Sequence, residues 1–168
     1  MKILVTAASK HGSTLEIATA IGEELRQAGH VVDVIDAKQK PSAAGYDTAV
    51  IGSAIYMGSW LSEARQFIEA NQAALAAMPV WLFSSGPLGA ENPQPEGDPT
   101  QLAELLAQTN ARGHQIFVGS LDKNDLGLAE KMMVKAVKAP YGDFRDWAAI
   151  RQWAKEIATA ITAVPTAG

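Results

Sequence analysis

Short runs of apolar and β-branched residues alternate with longer stretches of helical periodicity along this chain of 168 residues. Between residues 13 and 28, for example, Ile17, Ile21 and Leu25 recur at every fourth position, which places them on one face of a helix. The same pattern predicts strands over 2–6, 31–35, 48–53, 80–83 and 115–121. The predicted helices cover 13–28, 61–77, 101–110 and 145–161.

Strands that alternate with helices predict an α/β fold, in which a parallel sheet is covered by helices on both faces. The stretch 86–99 holds four prolines and three glycines and is expected to form a long loop, with Thr100 capping the next helix. Residues 122–142 do not fit the alternation and are interpreted as an insertion. No interdomain linker is visible, so we expect residues 1–168 to form one domain with a fraying tail at 164–168.

Composition excludes several kinds of chemistry. The chain has no cysteine, which excludes a disulfide framework, a thiolate metal site, an iron–sulfur cluster and a cysteine nucleophile. Redox chemistry would therefore need a cofactor. The three histidines are far apart and form neither a metal cluster nor a hydrolase triad, and His30 and His114 are expected to precede strands. The net charge of −4 argues against binding to nucleic acid. The absence of a leader or long apolar run favours a cytoplasmic location.

A polar turn leaves the first strand and enters the first helix. Its candidate phosphate ligands are Ser9, Lys10, His11, Gly12, Ser13 and Thr14. Loop amides at a helix N-terminus bind phosphate without a fixed cation, and Gly12 lets the backbone come close to the anion. The turn matches neither the ATP-binding P-loop nor the dinucleotide fingerprint. The alternative is a polar turn that only caps the helix.

The segment from Ser9 to Thr14 resembles the phosphate loop of flavodoxins, except that His11 replaces a hydroxyl residue. The resemblance extends over almost the whole chain. It implies FMN as the cofactor and a three-layer flavodoxin-like fold, with a five-stranded parallel sheet in the order 2-1-3-4-5. His11 either reaches the phosphate or is an exposed turn residue, and Lys10 is expected to be a solvated charge more than a ligand.

Two further loops are expected to hold the flavin ring, which needs flat apolar surfaces on its faces and backbone groups at its edge. The candidates after strand three are Ala54, Ile55, Tyr56, Met57 and Gly58, and those after strand four are Ser84, Ser85, Gly86, Pro87 and Leu88. Tyr56 either stacks on the ring or covers its own loop, and Trp60 is expected in the core. The tyrosine usual in the second flavodoxin loop is absent, which leaves one ring face open.

The resemblance is strongest to the bacterial menaquinone-dependent protoporphyrinogen dehydrogenase group and its flavodoxin-domain relatives. The similar stretches are 52–68, Met78-Pro79, 143–147 and 153–158. The group also has an insertion after strand five. The resemblance implies an enzyme whose flavin removes hydrogens from a tetrapyrrole precursor and passes electrons to a quinone. Chemistry then takes place on the flavin, so no catalytic side chain is assigned.

The insertion alternates apolar and basic residues. Its apolar members are Leu126, Leu128, Met132, Met133, Val134 and Val137, and its lysines are Lys123, Lys131, Lys135 and Lys138. Such a segment either lies on a quinone-bearing membrane or a flat substrate, or packs on the domain as a short amphipathic helix. Asp143 and Asp146 are expected to cap the final helix, with Trp147 in the core or at the rim of the ring loops.

Three functions remain open. The first is an FMN-dependent oxidoreductase with a small-molecule substrate, favoured by the open ring face and the insertion. The second is a flavodoxin-type electron carrier for a redox partner protein, although such carriers are usually more acidic around the ring. The third is a response-regulator-like domain, ranked last because Asp36 stands alone where an acidic cluster is needed. The oligomeric state does not follow from the sequence.

Overall fold

A parallel sheet lies at the centre of the structure, a computed structural model that describes residues 1–86, 101–137 and 141–163. The strands that build it are β1 (Lys2–Ala8), β2 (Val31–Asp36), β3 (Thr48–Tyr56), β4 (Ser59–Trp60), β5 (Val80–Ser85) and β6 (Gly113–Phe117). The order is β2-β1-β3-β5-β6, and the short β4 pairs antiparallel with the end of β3. Without β4, this is the predicted order 2-1-3-4-5.

Helices cover both faces of the sheet, as predicted. They are α1 (Ser13–Gln27), α2 (Ser62–Ala70), α3 (Gln72–Ala76), α4 (Leu102–Thr109) and α6 (Trp147–Thr162), whereas α5 (Leu128–Val137) lies in the insertion. One apolar cluster joins α1 and α6 to the sheet, and a second joins α2, α3 and α4 to the opposite face. The central strands are buried on both sides, which explains their nearly continuous apolar sequences.

Two elements that were predicted as continuous are divided in the structure. The helix predicted over 61–77 is interrupted at Asn71, whose side chain accepts a hydrogen bond from the Ala43 amide (2.8 Å) and donates one to the Phe67 carbonyl (2.8 Å). The strand predicted over 115–121 ends instead at Phe117. Ser120–Leu121 forms a separate strand, β7, which pairs antiparallel with β8 (Gly142–Asp143).

The insertion begins and ends at this small ribbon of β7 and β8. Between the two strands lie a 3-10 turn at Lys123–Asp125 and helix α5. Leu126 is buried, whereas Leu128 and Met132 on α5 are largely exposed. The final helix begins after Asp146, whose carboxylate accepts a hydrogen bond from the Ala149 amide (3.0 Å), and this confirms the predicted cap.

Several predictions lie outside the described residues or stay untested. The loop predicted at 86–99, apart from Gly86, the capping role of Thr100 and the tail at 164–168 fall outside the described ranges. The single-domain organisation stays a prediction.

His30 precedes β2, as expected, at the amino edge of the sheet. Both of its ring nitrogens are buried and lack a hydrogen-bond partner among the described residues. Burial lowers the pKa of His30 below its ordinary value, and the positively charged N-terminus lowers it further. The unfolded chain therefore takes up a proton on His30 at a higher pH than the folded chain does.

We expect the free energy of unfolding to fall as the pH drops below the ordinary histidine value of about 6.5, with part of this loss due to His30. The variant His30→Leu should lose less stability than the wild type between pH 7.5 and pH 5. Urea unfolding at both pH values measures this difference. Equal losses of stability in the wild type and in His30→Leu would show that His30 titrates alike in the folded and unfolded chains.

Candidate functional site

The three candidate segments leave the same edge of the sheet. Strands β1, β3 and β5 are adjacent and parallel, with Ala8 opposite Ser53 and Ala54 opposite Ser85. Their carboxyl ends therefore meet at one edge, where open α/β sheets bind their ligands. The structure thus brings together the loop after β1, the turn after β3 and the end of β5. Of the predicted site residues, Pro87 and Leu88 lie outside the described part of the chain.

The loop after β1 is organised around the Ser9 hydroxyl. Its Oγ accepts hydrogen bonds from the backbone amides of Gly12 (2.9 Å) and Thr14 (3.2 Å), and Ser9 and Thr14 are both buried. Gly12 precedes α1 at φ +93°, with no atom within 4 Å of the position a Cβ would take. Ser9 therefore caps the start of α1, as the alternative interpretation predicted.

The same geometry fits a phosphate group. Two amides already converge on one oxygen at the N-terminus of a 15-residue helix, which is the environment that phosphate oxygens prefer. A serine hydroxyl that accepts two amides still has its own proton to donate. The open space beside Gly12 lets an anion reach the backbone. The two interpretations of the loop are thus compatible.

Beyond Ser53 the chain forms a tight hairpin, which the sequence did not predict. Strand β3 continues to Tyr56, turns through Met57 (φ +51°) and Gly58 (φ +75°), and returns as β4. Two consecutive residues with positive φ are typical of a type I′ turn, in which asparagine usually takes the place that Met57 has here. Met57 is 78% exposed at the tip, whereas Ile55 is buried in the core and can offer a ligand only its backbone.

A buried hydrogen-bond chain anchors this hairpin to the sheet. Trp60 is buried, as predicted, and its indole Nε1 donates to the Ser84 hydroxyl (2.8 Å). Ser84 in turn bonds to Nε2 of His114 (2.7 Å), so its side chain is engaged within the fold. His114 was expected to precede a strand, but it is the second residue of β6, because the pairing with β5 already begins at Gly113 opposite Trp81.

Lys10 and His11 both contact Glu130 of α5, which the sequence did not suggest. The Lys10 ammonium forms an ion pair with Glu130, and Nε2 of His11 lies 3.5 Å from the same carboxylate. Lys10 Nζ also lies 3.7 Å from the ring centroid of Tyr56. Lys10 is exposed, as expected of a solvated charge, but it also pairs with groups from distant parts of the chain, which the sequence did not indicate.

These contacts change the proton affinities of both partners. Burial by itself lowers the pKa of Lys10, but hydrogen bonds with Glu130 and Tyr56 outweigh burial and hold the pKa above its ordinary value. The hydrogen bond from Lys10, followed by that from the Gly127 amide, lowers the pKa of Glu130. The ion pair is therefore charged on both sides at neutral pH.

A second ion pair joins the end of the insertion to the start of α1. The Arg145 guanidinium, whose side chain is only 8% exposed, donates to the Ser13 carbonyl (3.2 Å) and pairs with Glu16 and Asp143. It also lies 4.6 Å from the ring of Trp147, which is half-buried. Asp143, predicted as a helix cap, binds Arg145 instead. Sequence reasoning missed Arg145 because its partners in α1 are 129 and 132 positions away.

Comparison with known families agrees with this geometry. Residues 4–147 match the family described as Flavodoxin domain. This protein belongs to the flavodoxin domain family. Membership indicates a flavin cofactor and a redox role, and the family match spans both the phosphate loop and the hairpin at Met57 and Gly58. The sheet order described above is the one that the resemblance to flavodoxins implied.

Individual relatives are consistent with this fold and family. This protein is 26% identical over 173 residues to protoporphyrinogen IX dehydrogenase [quinone] of Escherichia coli K12, covering 94% of this chain and 95% of that protein. Among solved structures, a flavodoxin from the domain Archaea superposes with a TM-score of 0.63 at 16% identity, covering 96% of this chain and 99% of that one. Oxidised flavodoxin 1 from Bacillus cereus gives 0.62 at 18%, covering 98% and 99%.

The described residues contain neither a metal cluster nor a membrane-spanning helix. Within 1–86, 101–137 and 141–163, no group of three or more histidine, cysteine or acidic residues could hold a metal ion. Among the helices in these same ranges, none is both long and apolar enough to span a bilayer.

Proposed function

We propose that this flavodoxin-domain protein binds FMN and acts as an oxidoreductase of the protoporphyrinogen dehydrogenase type. The observation that supports this most directly is the match to the Escherichia coli dehydrogenase, which extends over 94% of this chain and 95% of that protein. The matched span covers nearly the whole length of both chains. The proposal therefore rests on more than the common fold.

Under this proposal, the phosphate of FMN binds at the N-terminus of α1. Ser9, Gly12, Ser13 and Thr14 supply amides and hydroxyls, and the partial positive charge of the 15-residue helix stabilises the anion. Lys10 is already paired with Glu130, so the main charge compensation would come from the backbone. His11 is half-exposed beside the same carboxylate.

The flavin ring would lie between the hairpin after β3 and the end of β5. Tyr56 would stack on one face, the backbone of 54–58 and of Ser84–Gly86 would bond to the ring edge, and Pro87 and Leu88 are proposed to complete the wall. When bound, FMN supplies reversible acceptance of a hydride or of electrons, which no side chain of this cysteine-free protein provides. The protein's role is to orient the ring and to limit its contact with water.

Exposed apolar side chains favour an enzyme with a flat, apolar substrate. Leu128 and Met132 are separated by one turn of α5 and are 80% and 67% exposed, and α5 is joined to the phosphate loop through Glu130. Met57 adds a third exposed apolar side chain at the hairpin. A tetrapyrrole precursor or a quinone tail would match such surfaces. Contact of α5 with a quinone-bearing membrane stays a prediction.

Binding of FMN is tested by adding it to the purified protein. We expect one FMN per chain by isothermal calorimetry, together with a shift of the flavin absorption bands and quenching of flavin fluorescence. FAD and riboflavin serve as comparisons, because they change the phosphate end and leave the ring intact. An absence of heat and of any spectral change with FMN would remove the cofactor assignment.

The substrate is tested on the FMN-loaded protein under anaerobic conditions. Mixing with protoporphyrinogen should bleach the flavin absorbance, and subsequent addition of a menaquinone should restore it. The alternative function is a flavodoxin-type electron carrier, for which the exposed Met57 would be a contact for a redox partner protein. A carrier would show no bleaching by protoporphyrinogen but rapid reduction by a ferredoxin-type reductase.

A further inference from the structure

We propose that Glu130 is a latch, which holds α5 against the phosphate loop and holds Lys10 over Tyr56, so that a flavin enters only when this contact opens. The inference rests on the FMN site proposed above and adds a means of controlling how that site is loaded. It assigns a role to the insertion, which contacts the loop through the Glu130 carboxylate.

The Glu130 carboxylate contacts three groups, one from its own segment and two from the phosphate loop. Its Oε2 accepts a hydrogen bond from the Gly127 amide (3.0 Å), which fixes the side chain at the start of α5. The same carboxylate pairs with the Lys10 ammonium and lies 3.5 Å from Nε2 of His11. The Glu130 side chain is 17% exposed and the Lys10 side chain 37%, so this ion pair is partly shielded from water.

The position of Lys10 has a direct consequence for Tyr56. The ammonium lies 3.7 Å from the centroid of the tyrosine ring, so it occupies one face of that ring. Lys10 belongs to the phosphate loop, and a flavin tethered to this loop by its phosphate would approach Tyr56 from the same side. Stacking of the flavin on Tyr56 therefore requires Lys10 to move, and moving Lys10 breaks its ion pair with Glu130.

The protein then has a latched state and an open state. A ligand that binds only the open state associates at a rate proportional to the fraction of molecules that are open. For a partly shielded ion pair we expect an association rate about fivefold below that of an unlatched protein. The latched state restricts access of the flavin ring as well as of the phosphate end of the ligand. This distinguishes it from simple repulsion between Glu130 and a phosphate.

The test is stopped-flow quenching of flavin fluorescence with Glu130→Gln. Both FMN and riboflavin should associate about fivefold faster than with the wild type, because the variant releases Lys10 from Tyr56 whether or not the ligand has a phosphate. Asp125→Asn makes the same change of charge in the same insertion and should leave both rates unchanged. Acceleration with FMN alone would indicate phosphate repulsion and would overturn the latch.

A double-mutant comparison isolates the ion pair. Lys10→Met removes the ammonium from Tyr56, and in that background Glu130→Gln should have no further effect on riboflavin association. Equal effects of Glu130→Gln with and without Lys10 would contradict the latch.

A measurement without flavin completes the test. Hydrogen exchange of the backbone amides of α5 should be faster in Glu130→Gln than in Asp125→Asn, because only the first loosens the helix from the loop. Unchanged exchange would overturn the latch. Wild-type protein that binds neither flavin would overturn the proposed function and the latch together, whereas binding with rates unchanged in Glu130→Gln would overturn the latch alone.

Discussion

Gly12→Asp is expected to abolish FMN binding, with affinity reduced at least about a hundredfold. Gly12 donates its amide into the loop at φ +93°, and a new Cβ there would enter open space, so the added carboxylate would stand where we place the phosphate. Aspartate tolerates a positive φ better than most residues, so the fold should be retained. Calorimetry with FMN measures the loss of affinity.

Gly12→Asn is the matched control, because it has the same shape and backbone preference as the aspartate but no charge. We expect the asparagine variant to bind FMN only moderately less tightly than the wild type. Riboflavin has no phosphate and should bind the two variants with similar affinity. If Gly12→Asp bound FMN as tightly as the asparagine variant does, the phosphate could not lie in this loop.

Gly52→Ala is expected to lower the free energy of unfolding by about 3 kcal/mol. A Cβ on Gly52 would lie 2.1 Å from Cζ of Phe83, far inside van der Waals contact. The Phe83 ring cannot easily move away, because it packs against Phe117 (6.2 Å between centroids) and Trp153 (6.1 Å) in the core. Chemical denaturation followed by circular dichroism measures the change.

Another strand of the same sheet offers a control for this substitution. A Cβ on Gly113 in β6 would lie 3.6 Å from the Trp81 ring, an ordinary contact, so Gly113→Ala should change stability little. In the Gly52→Ala background, replacing Phe83 with leucine should restore part of the lost stability, since the smaller side chain clears the new methyl group. Wild-type stability in Gly52→Ala would show that the Phe83 ring leaves the face of β3.

Because Gly52 is opposite Ala7 in the register, this clash would also disturb the strands from which the phosphate loop and the hairpin emerge. We therefore expect FMN affinity in Gly52→Ala to fall along with stability. The Gly12 variants share the same backbone strain at positive φ, so the difference between them should appear in affinity and not in stability. The two pairs of variants thus separate damage to the sheet from damage to the site.

Local pattern predicted the fold well because the strands and helices are short segments with their own periodicity. The five main strands were confirmed, since apolar runs buried on both faces are visible in the sequence, whereas their order was implied by the resemblance to flavodoxins. Strand ends were predicted less well. Small and polar residues such as Ala54 and Ser84 were predicted as loop, yet backbone pairing with neighbouring strands includes them in β3 and β5.

Some features could have been noticed in the sequence but were missed. The Met57-Gly58 pair falls between two residues that pair across a hairpin, but methionine is not a usual residue for positive φ, so the turn was interpreted as part of a longer loop. The interruption at Asn71 is typical of a residue whose side chain competes for backbone groups. Both features depend on local residue preferences, and these preferences are weak.

The amino-acid sequence by itself determined the alternation of strands and helices, the turn after β1 with its flavodoxin-like residues, and the exclusion of cysteine chemistry. Only the tertiary structure decided that Glu130 reaches Lys10 and His11, and that Arg145 reaches the first turn of α1. The physical reason is the distance along the sequence over which each kind of interaction acts. Periodicity and turn preferences act over a few residues, whereas an ion pair depends on where the folded backbone places side chains from distant segments.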